Sequence, residues 1–328
     1  MFKKILVPLD GSTEAETVLP YVRDIAIRFD SEVEILGVGL GSKRRRVNQL
    51  LDNYVHHAVD HLQKHEITCR AVLLYSDPHR NFLDYREVTA GPNQIKARGE
   101  MLYGGPPETI LAYSSDHQMN LIIMATHGIS GLRRWWLGSV FEKVVSRATM
   151  PVLGIHSKQV REMERDRKAV FKRILAPLDG SETGGAAMHD AEALALKSGA
   201  SMVLVHVLPA PHAVEARWLG PEFSEFVKAM HDAGQKYLDK VEARLSARGI
   251  NVQVRIVSGD PAGKIIEVAR EEKADLIAMS THGRSGIARW VLGSVADKIL
   301  HESKIPMWLV RPRQIIKRML KDSGQDGS

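Results

Sequence analysis

One cysteine, Cys69, occurs in 328 residues. A lone thiol builds neither an intramolecular disulfide nor a thiolate metal cluster, and such usage fits a reducing compartment. Long apolar runs are missing too. The longest span about half a dozen residues against the roughly 18 that cross a bilayer, so no transmembrane helix and no membrane partner are expected. Met1-Phe2-Lys3-Lys4 leads directly into the apolar run Ile5-Leu6-Val7. That leaves no room for a leader's apolar core and cleavage site and points to the cytoplasm. Aromatic residues make up only 6% of the chain, and the basic stretches 43–46 and 311–321 are not interleaved with them. A single-strand nucleic-acid binder would interleave the two, so the net charge of +6 is read as solvated basic surface. Absent as well are a Gly-Lys-Ser/Thr phosphate loop and a kinase-like catalytic loop. Efficient phosphoryl transfer is therefore not indicated, and no residue is nominated as catalytic.

What is present is duplication. Ala125-Thr126-His127-Gly128, nine residues, then Gly138-Ser139-Val140 recurs as Ser280-Thr281-His282-Gly283, nine residues, then Gly293-Ser294-Val295, at an offset of 155 (His127 to His282). Each copy follows a short β-rich run ending at Met124 or Met279. The openings recur as well: Ile5-Leu6-Val7-Pro8-Leu9-Asp10-Gly11-Ser12 and Ile174-Leu175-Ala176-Pro177-Leu178-Asp179-Gly180-Ser181. After each comes a helical stretch (14–29, 182–197), a second strand (33–40, 201–208), a second helix, a third strand (68–74, 251–257), a third helix, the methionine strand, a last helix and a terminal strand. Strands alternating with helices imply parallel pairing in a doubly wound α/β domain, and the composition suits two such domains.

The expected organisation is a first repeat over 1–156, a charged linker over 157–170, a second repeat over 171–312 and a polar tail over 313–328. Between repeats the offset grows from 169 (Asp10 to Asp179) to 183 (Ile67 to Ile250), then drops to 155. The first repeat thus carries about 28 additional residues, placed at 76–103 and read as a loop or hairpin from Gly91-Pro92, Gly99 and several charges.

The Gly-Ser pairs can be read in two ways. A helix opening at Ser139 or Ser294 aims unpaired N–H groups and a positive dipole end outward, an anion site in outline. Alternatively, Ser139 with Glu142 and Ser294 with Asp297 fit a capping box that needs no ligand. Recurrence of the glycines and histidine together favours the site. His57, His61 and His65 share a helix face at metal-like spacing, yet one solvated stripe on one element rarely makes a metal site. No metal is expected.

The Pro-x-Asp-Gly-Ser opening, the Thr-His-Gly turn, the nine-residue spacer and Gly-Ser-Val, duplicated over nearly the whole chain, resemble a tandem universal stress protein. In the nucleotide-binding branch of that family the motif begins with a glycine where this sequence has Ala125 or Ser280. The resemblance implies two tandem doubly wound domains, each a five-stranded parallel sheet of order 3-2-1-4-5 with helices on both faces. It implies ATP as ligand, with Mg2+ as an accompanying ion and hydrolysis at most slow, in a stress-response sensor or regulatory module. The alternative is a nucleotide-free scaffold.

By that resemblance Asp10 and Asp179 meet the adenine and ribose side, Val38 and Val207 meet adenine through backbone, and Gly128, Gly138, Ser139, Gly283, Gly293 and Ser294 hold ribose and phosphates. Pro8, Met124, Ala125, His127, Val140, Pro177, Met279, Ser280, His282, Arg284 and Val295 complete the set. A turn role competes for each aspartate, and a packed turn role for each histidine. Because related single-repeat proteins dimerise through terminal strands, segments 151–155 and 306–310 are expected to join the repeats as a pseudo-dimer; a homodimer of tandem chains is a further option. The second repeat is expected to be the better ATP site. Arg284 replaces Ile129 beside the phosphates, Ala296 replaces the bulky Phe141, which either crowds the phosphate end or points into the core, and the insert lies on the first pocket's sheet edge, where it could cover or fill the pocket.

Overall fold

The computed structural model describes residues 1–40, 45–77, 82–88, 95–96, 105–127, 138–156, 171–208, 220–283 and 292–317. The expected linker, most of the tail, Gly128, Ile129 and Arg284 lie outside them. The chain divides into two compact units, Met1–Val170 and Phe171–Ser328.

The first unit contains strands β1 (Lys4–Leu9), β2 (Glu32–Leu40), β3 (Cys69–Asp77), β4 (Phe82–Val88), β5 (Ile95–Lys96), β6 (Leu121–Ala125) and β7 (Val152–Ile155). Its helices are α1 (Thr13–Glu16), α2 (Leu19–Phe29), α3 (Arg45–Gln63), α4 (Pro106–Asp116) and α5 (Ser139–Arg147). Within the unit the strands run β5-β4-β3-β2-β1-β6-β7. The second unit contains β8 (Arg173–Pro177), β9 (Ser201–Leu208), β10 (Val252–Ser258), β11 (Leu276–Ser280) and β12 (Met307–Val310), in the order β10-β9-β8-β11-β12. Its helices are α6 (Met188–Ser198), α7 (Gly220–Ser246), α8 (Pro261–Glu271) and α9 (Ser294–Glu302).

Renumbered within the repeat, the second unit has the order 3-2-1-4-5, all parallel. The first has the same five parallel strands plus two antiparallel ones. β4 pairs with β3 from Ala71↔Val88 to Asp77↔Phe82, and β5 pairs with β4. The insert is therefore a hairpin that widens the sheet beyond the five strands expected, and β3 runs on into it as far as Asp77.

The central strands read as nearly unbroken apolar runs because both faces are covered. β6 and β11 are buried almost throughout. In α2 the buried residues Leu19, Val22, Ala26 and Phe29 keep the three-to-four spacing of one helix face. α6 stops at Gly199, whose φ of +72° suits a left-handed cap. No helix among the described residues is long and apolar enough to cross a membrane.

Candidate functional site

The crevice that organises each unit begins as a short ladder. β1 pairs with β6 only at Ile5↔Leu121 and Leu6↔Ile122, and β8 with β11 only at Ile174↔Leu276 and Leu175↔Ile277. On its other side β8 stays paired with β9 through Pro177↔Val205, and the Leu178 N–H donates to the Val205 carbonyl at 2.8 Å. N–H groups alternate in direction along a strand, so that of residue 177 would point to β11; proline has none. The ladder stops there and the strand ends part, at the switch point where ligands of open α/β sheets bind.

The Asp-Gly-Ser turn at the end of the first strand is built alike in both repeats. Gly11 and Gly180 have φ of +87° and +82°, values that glycine adopts without strain. Asp10 Oδ1 accepts from the Ser12 N–H at 3.0 Å and its hydroxyl at 2.6 Å; Asp179 Oδ1 accepts from Ser181 at 2.9 and 2.6 Å. The turn role weighed from sequence is real. In the second unit the aspartate also reaches across the crevice, since a side chain on Gly283 would come within 2.7 Å of Asp179 Oδ2. Thr183 ties the same two loops by donating to the Gly283 carbonyl at 3.1 Å.

The residues that flank the nine-residue spacer meet. The Gly138 N–H donates to the Thr126 carbonyl at 2.9 Å, and the Gly293 N–H to that of Thr281 at 2.8 Å. A Cβ at either glycine would lie 2.9 or 2.8 Å from that same oxygen, so only glycine fits. The glycine, not the serine, is the residue that precedes the helix, and no side chain caps the first turn of α5 or α9. The capping box weighed for Ser139–Glu142 and Ser294–Asp297 is thus not formed. The serines are first helical residues, beside N–H groups that have no acceptor within the helix.

Ser280 takes the place of the first family glycine, and its side chain turns inward. Its hydroxyl accepts from the His282 N–H at 3.2 Å and donates to the His282 carbonyl at 2.6 Å. Thr126 and Thr281 hydroxyls lie 2.8 and 3.0 Å from Nδ1 of His127 and His282, which fixes each ring against its own turn.

In the second unit these parts enclose a cavity of about 360 Å³. Pro177, Asp179, Val207, Met279, Ser280, His282, Gly283, Gly293, Ser294 and Val295, all nominated from sequence, line it. Met230 on α7 and Pro261 and Ile265 on α8 wall its far side. Among the described residues of this lining, Asp179 is the only carboxylate and there is no lysine or arginine. In the first unit, Pro8 in β1, Val38 in β2, Met124 and Ala125 in β6 and Ser139 and Val140 in α5 occupy the matching places.

Three features escaped the motif. His206, one residue before Val207, lines the cavity. Tyr54 and Tyr237, an offset-183 pair on α3 and α7, pack toward the opening turns. The Tyr54 hydroxyl donates to the Ser12 carbonyl at 3.1 Å. Burial, then the charges of Glu16 and Asp10, raises its phenol; burial, then Asp179, does the same for Tyr237. Recurrence of tyrosine at offset 183 is the signal that could have found them. For Phe141 the core placement weighed from sequence is the one found. It is fully buried, and a side chain on Gly154 would come within 2.4 Å of its ring, so it fills the core and does not obstruct the helix N-terminus.

The model of the universal stress protein family matches residues 1–156 and again 171–311. The chain belongs to the universal stress protein family. This universal stress protein is 24% identical over 321 residues to one from Mycolicibacterium smegmatis, covering 94% of this chain and 97% of that one. A protein of unknown function from Pseudomonas aeruginosa shares the fold with a TM-score of 0.67 at 17% identity, covering 99% of this chain and 98% of the other. A shorter universal stress protein, solved in complex with cAMP, is 25% identical and aligns with 43% of this chain and 97% of its own, with a TM-score of 0.33.

Proposed function

We propose that this universal stress protein binds ATP, foremost in its second repeat, and acts as a cytoplasmic stress-response regulatory or sensor module. The observation that carries the reading is the cavity between the parted ends of β8 and β11, closed at one end by the uncapped first turn of α9. A helix N-terminus with free N–H groups and a glycine approach suits phosphate. The apolar wall of Val205, Val207, Met230 and Ile265 suits a base, and Asp179 lies between them to accept from ribose hydroxyls. Gly293 and Ser294 would hold phosphate, with Mg2+ as an accompanying ion, and Arg284 follows the turn as an added cation. The described lining residues, with one carboxylate and no lysine among them, argue against efficient hydrolysis. Val152–Ile155 and Met307–Val310, each the last strand in its unit's order, are proposed to join the repeats as a pseudo-dimer.

Mass spectrometry of the denatured protein's supernatant should detect adenine nucleotide. In calorimetric titration with ATP, Asp179→Ala should weaken the tighter site about tenfold or more, the scale of one or two lost polar contacts, while Asp10→Ala leaves that site intact. Abolition by Asp10→Ala with Asp179→Ala unaffected would reverse the ranking; a protein that binds no nucleotide would be the scaffold.

A further inference from the structure

The cavity of the second unit contains a polar side chain that the motif does not account for. His206 is 6% exposed and lines the cavity between Val205 and Val207. Its Nδ1 lies 2.6 Å from the Leu178 carbonyl oxygen, an acceptor only, so Nδ1 carries the proton. In the neutral ring Nε2 is then a hydrogen-bond acceptor. It has no protein partner among the described residues. Helix α7 approaches the Cδ2–Nε2 edge of the ring closely, as only a glycine at residue 234 permits: a Cβ there would lie 2.9 Å from Cδ2 and 3.3 Å from Nε2.

The first repeat lacks this device. Aligned by the offsets of 169 and 183, His206 and Gly234 match Gly37 and Leu51. The imidazole and the glycine it packs against are thus exchanged together for a glycine and a leucine. The matched change sets the second cavity's lining at His206 apart from the first repeat.

The ligand's orientation follows from the helix. If phosphate lies at the first turn of α9, beyond β11, the other end of the ligand lies toward β9, where His206 stands. Resting on the proposed ATP reading, we infer that His206 is a specificity-determining residue: Nε2 accepts a hydrogen bond from the 6-amino group of the base. Selection for 6-amino over 6-oxo purines is thereby confined to the second repeat. An oxo group would set acceptor against acceptor and leave a buried nitrogen unpaired.

The test is titration of the full-length protein with ATP and with ITP, whose base carries oxygen in place of that amine. The second-repeat site is assigned as the one weakened by Asp179→Ala. The wild type should prefer ATP about tenfold, the scale of one buried hydrogen bond. His206→Asn keeps an amide N–H for the Leu178 carbonyl and removes the acceptor at the Nε2 position. It should bring the ATP:ITP ratio to about one, chiefly by weakening ATP. His206→Gly/Gly234→Leu, which imports the first repeat's pair and so keeps the volume filled, should do the same. A wild type without preference, or a preference retained in both variants, overturns the inference while leaving ATP binding intact. Absence of any ATP site sensitive to Asp179→Ala overturns the ATP reading as well.

Discussion

In the first unit Phe141 on α5 packs onto Gly154 of β7; at the matching positions the second unit has Ala296 on α9 and Leu309 in β12, both buried. Tyr21 and Leu153 of the first unit become Asp190 and Trp308, with the indole Nε1–H donating to Asp190 Oδ2 at 3.0 Å. In the first unit Glu34, buried in β2, accepts from Arg70 and, at 2.6 Å, from the Tyr113 hydroxyl; the second has Val203, Gln253 and Val268 there. The backbone frame of the two repeats is common, and its interior is filled by different matched sets. Pairs in contact have changed together because close-packed interiors do not tolerate one-sided changes of volume or polarity.

The largest test of this comparison is the exchange of one matched set. Phe141→Ala should cost the first unit about 3–5 kcal/mol, and Gly154→Leu with Phe141 in place about 1–3 kcal/mol or more from overpacking. The double variant, which copies the second unit's pair, should recover most of the loss in urea denaturation. Two equal and additive losses would mean that the residues are not packed as one set.

The polar set of the first unit should respond next. Tyr113→Phe removes one of Glu34's hydrogen-bond donors and should destabilise by about 1–3 kcal/mol; Glu34→Leu/Tyr113→Phe, which removes donor and acceptor together with little change of volume, should cost less than Tyr113→Phe alone. Denaturant midpoints decide between them.

Asp190 sharpens the comparison through pH. Burial raises its carboxyl above the usual range, opposed by the Trp308 N–H. A raised folded-state value means that the folded state binds the proton more readily. Its contribution is therefore fully present below the unfolded value near 3.9 and is lost as pH rises through the folded value. Asp190→Asn, whose amide oxygen can still accept from Trp308, should flatten that part of the stability–pH curve and shift stability at neutral pH by about 1 kcal/mol or less. An unchanged curve would exclude Asp190 as its source.

The smallest effect concerns Cys69 in β3, matched by Val252 of the second unit. Burial, with Glu34 nearby, pushes its thiol up to about 12, so at pH 8 it should react with a disulfide reagent only after denaturant is added. Stoichiometric labelling of the native protein would contradict that.

Much of this was legible in the sequence because the repeat supplies its own control. Asp10 and Asp179, the Thr-His-Gly turns and the Gly-Ser pairs recur at fixed offsets, and ten of the second-repeat nominations do line one cavity. The strand order came with the family resemblance, and alternation of strand and helix supported parallel pairing. The antiparallel pairing of β4 on β3 was less legible, since the insert has no counterpart to align with and its hairpin shares a continuous strand with the core. A cap role stayed open for each serine because spacing cannot tell the residue before a helix from the first residue within it; the extended backbone of Gly138 and Gly293 decides that in three dimensions. The α7 wall was missed because Met230, Gly234 and Tyr237 form no motif. They matter only as one face of a helix beside His206.

The Phe141–Gly154 and Ala296–Leu309 sets also bear on how the gene can change. Repeats within one gene invite gene conversion, in which one copy overwrites part of the other. A tract whose boundary falls between positions 141 and 154 would bring phenylalanine against leucine, or alanine against glycine, and leave a clash or a hole in a core. Selection against such hybrids would shield the last helix and strand of each repeat from being made alike, and allow the two halves of one polypeptide to keep diverging.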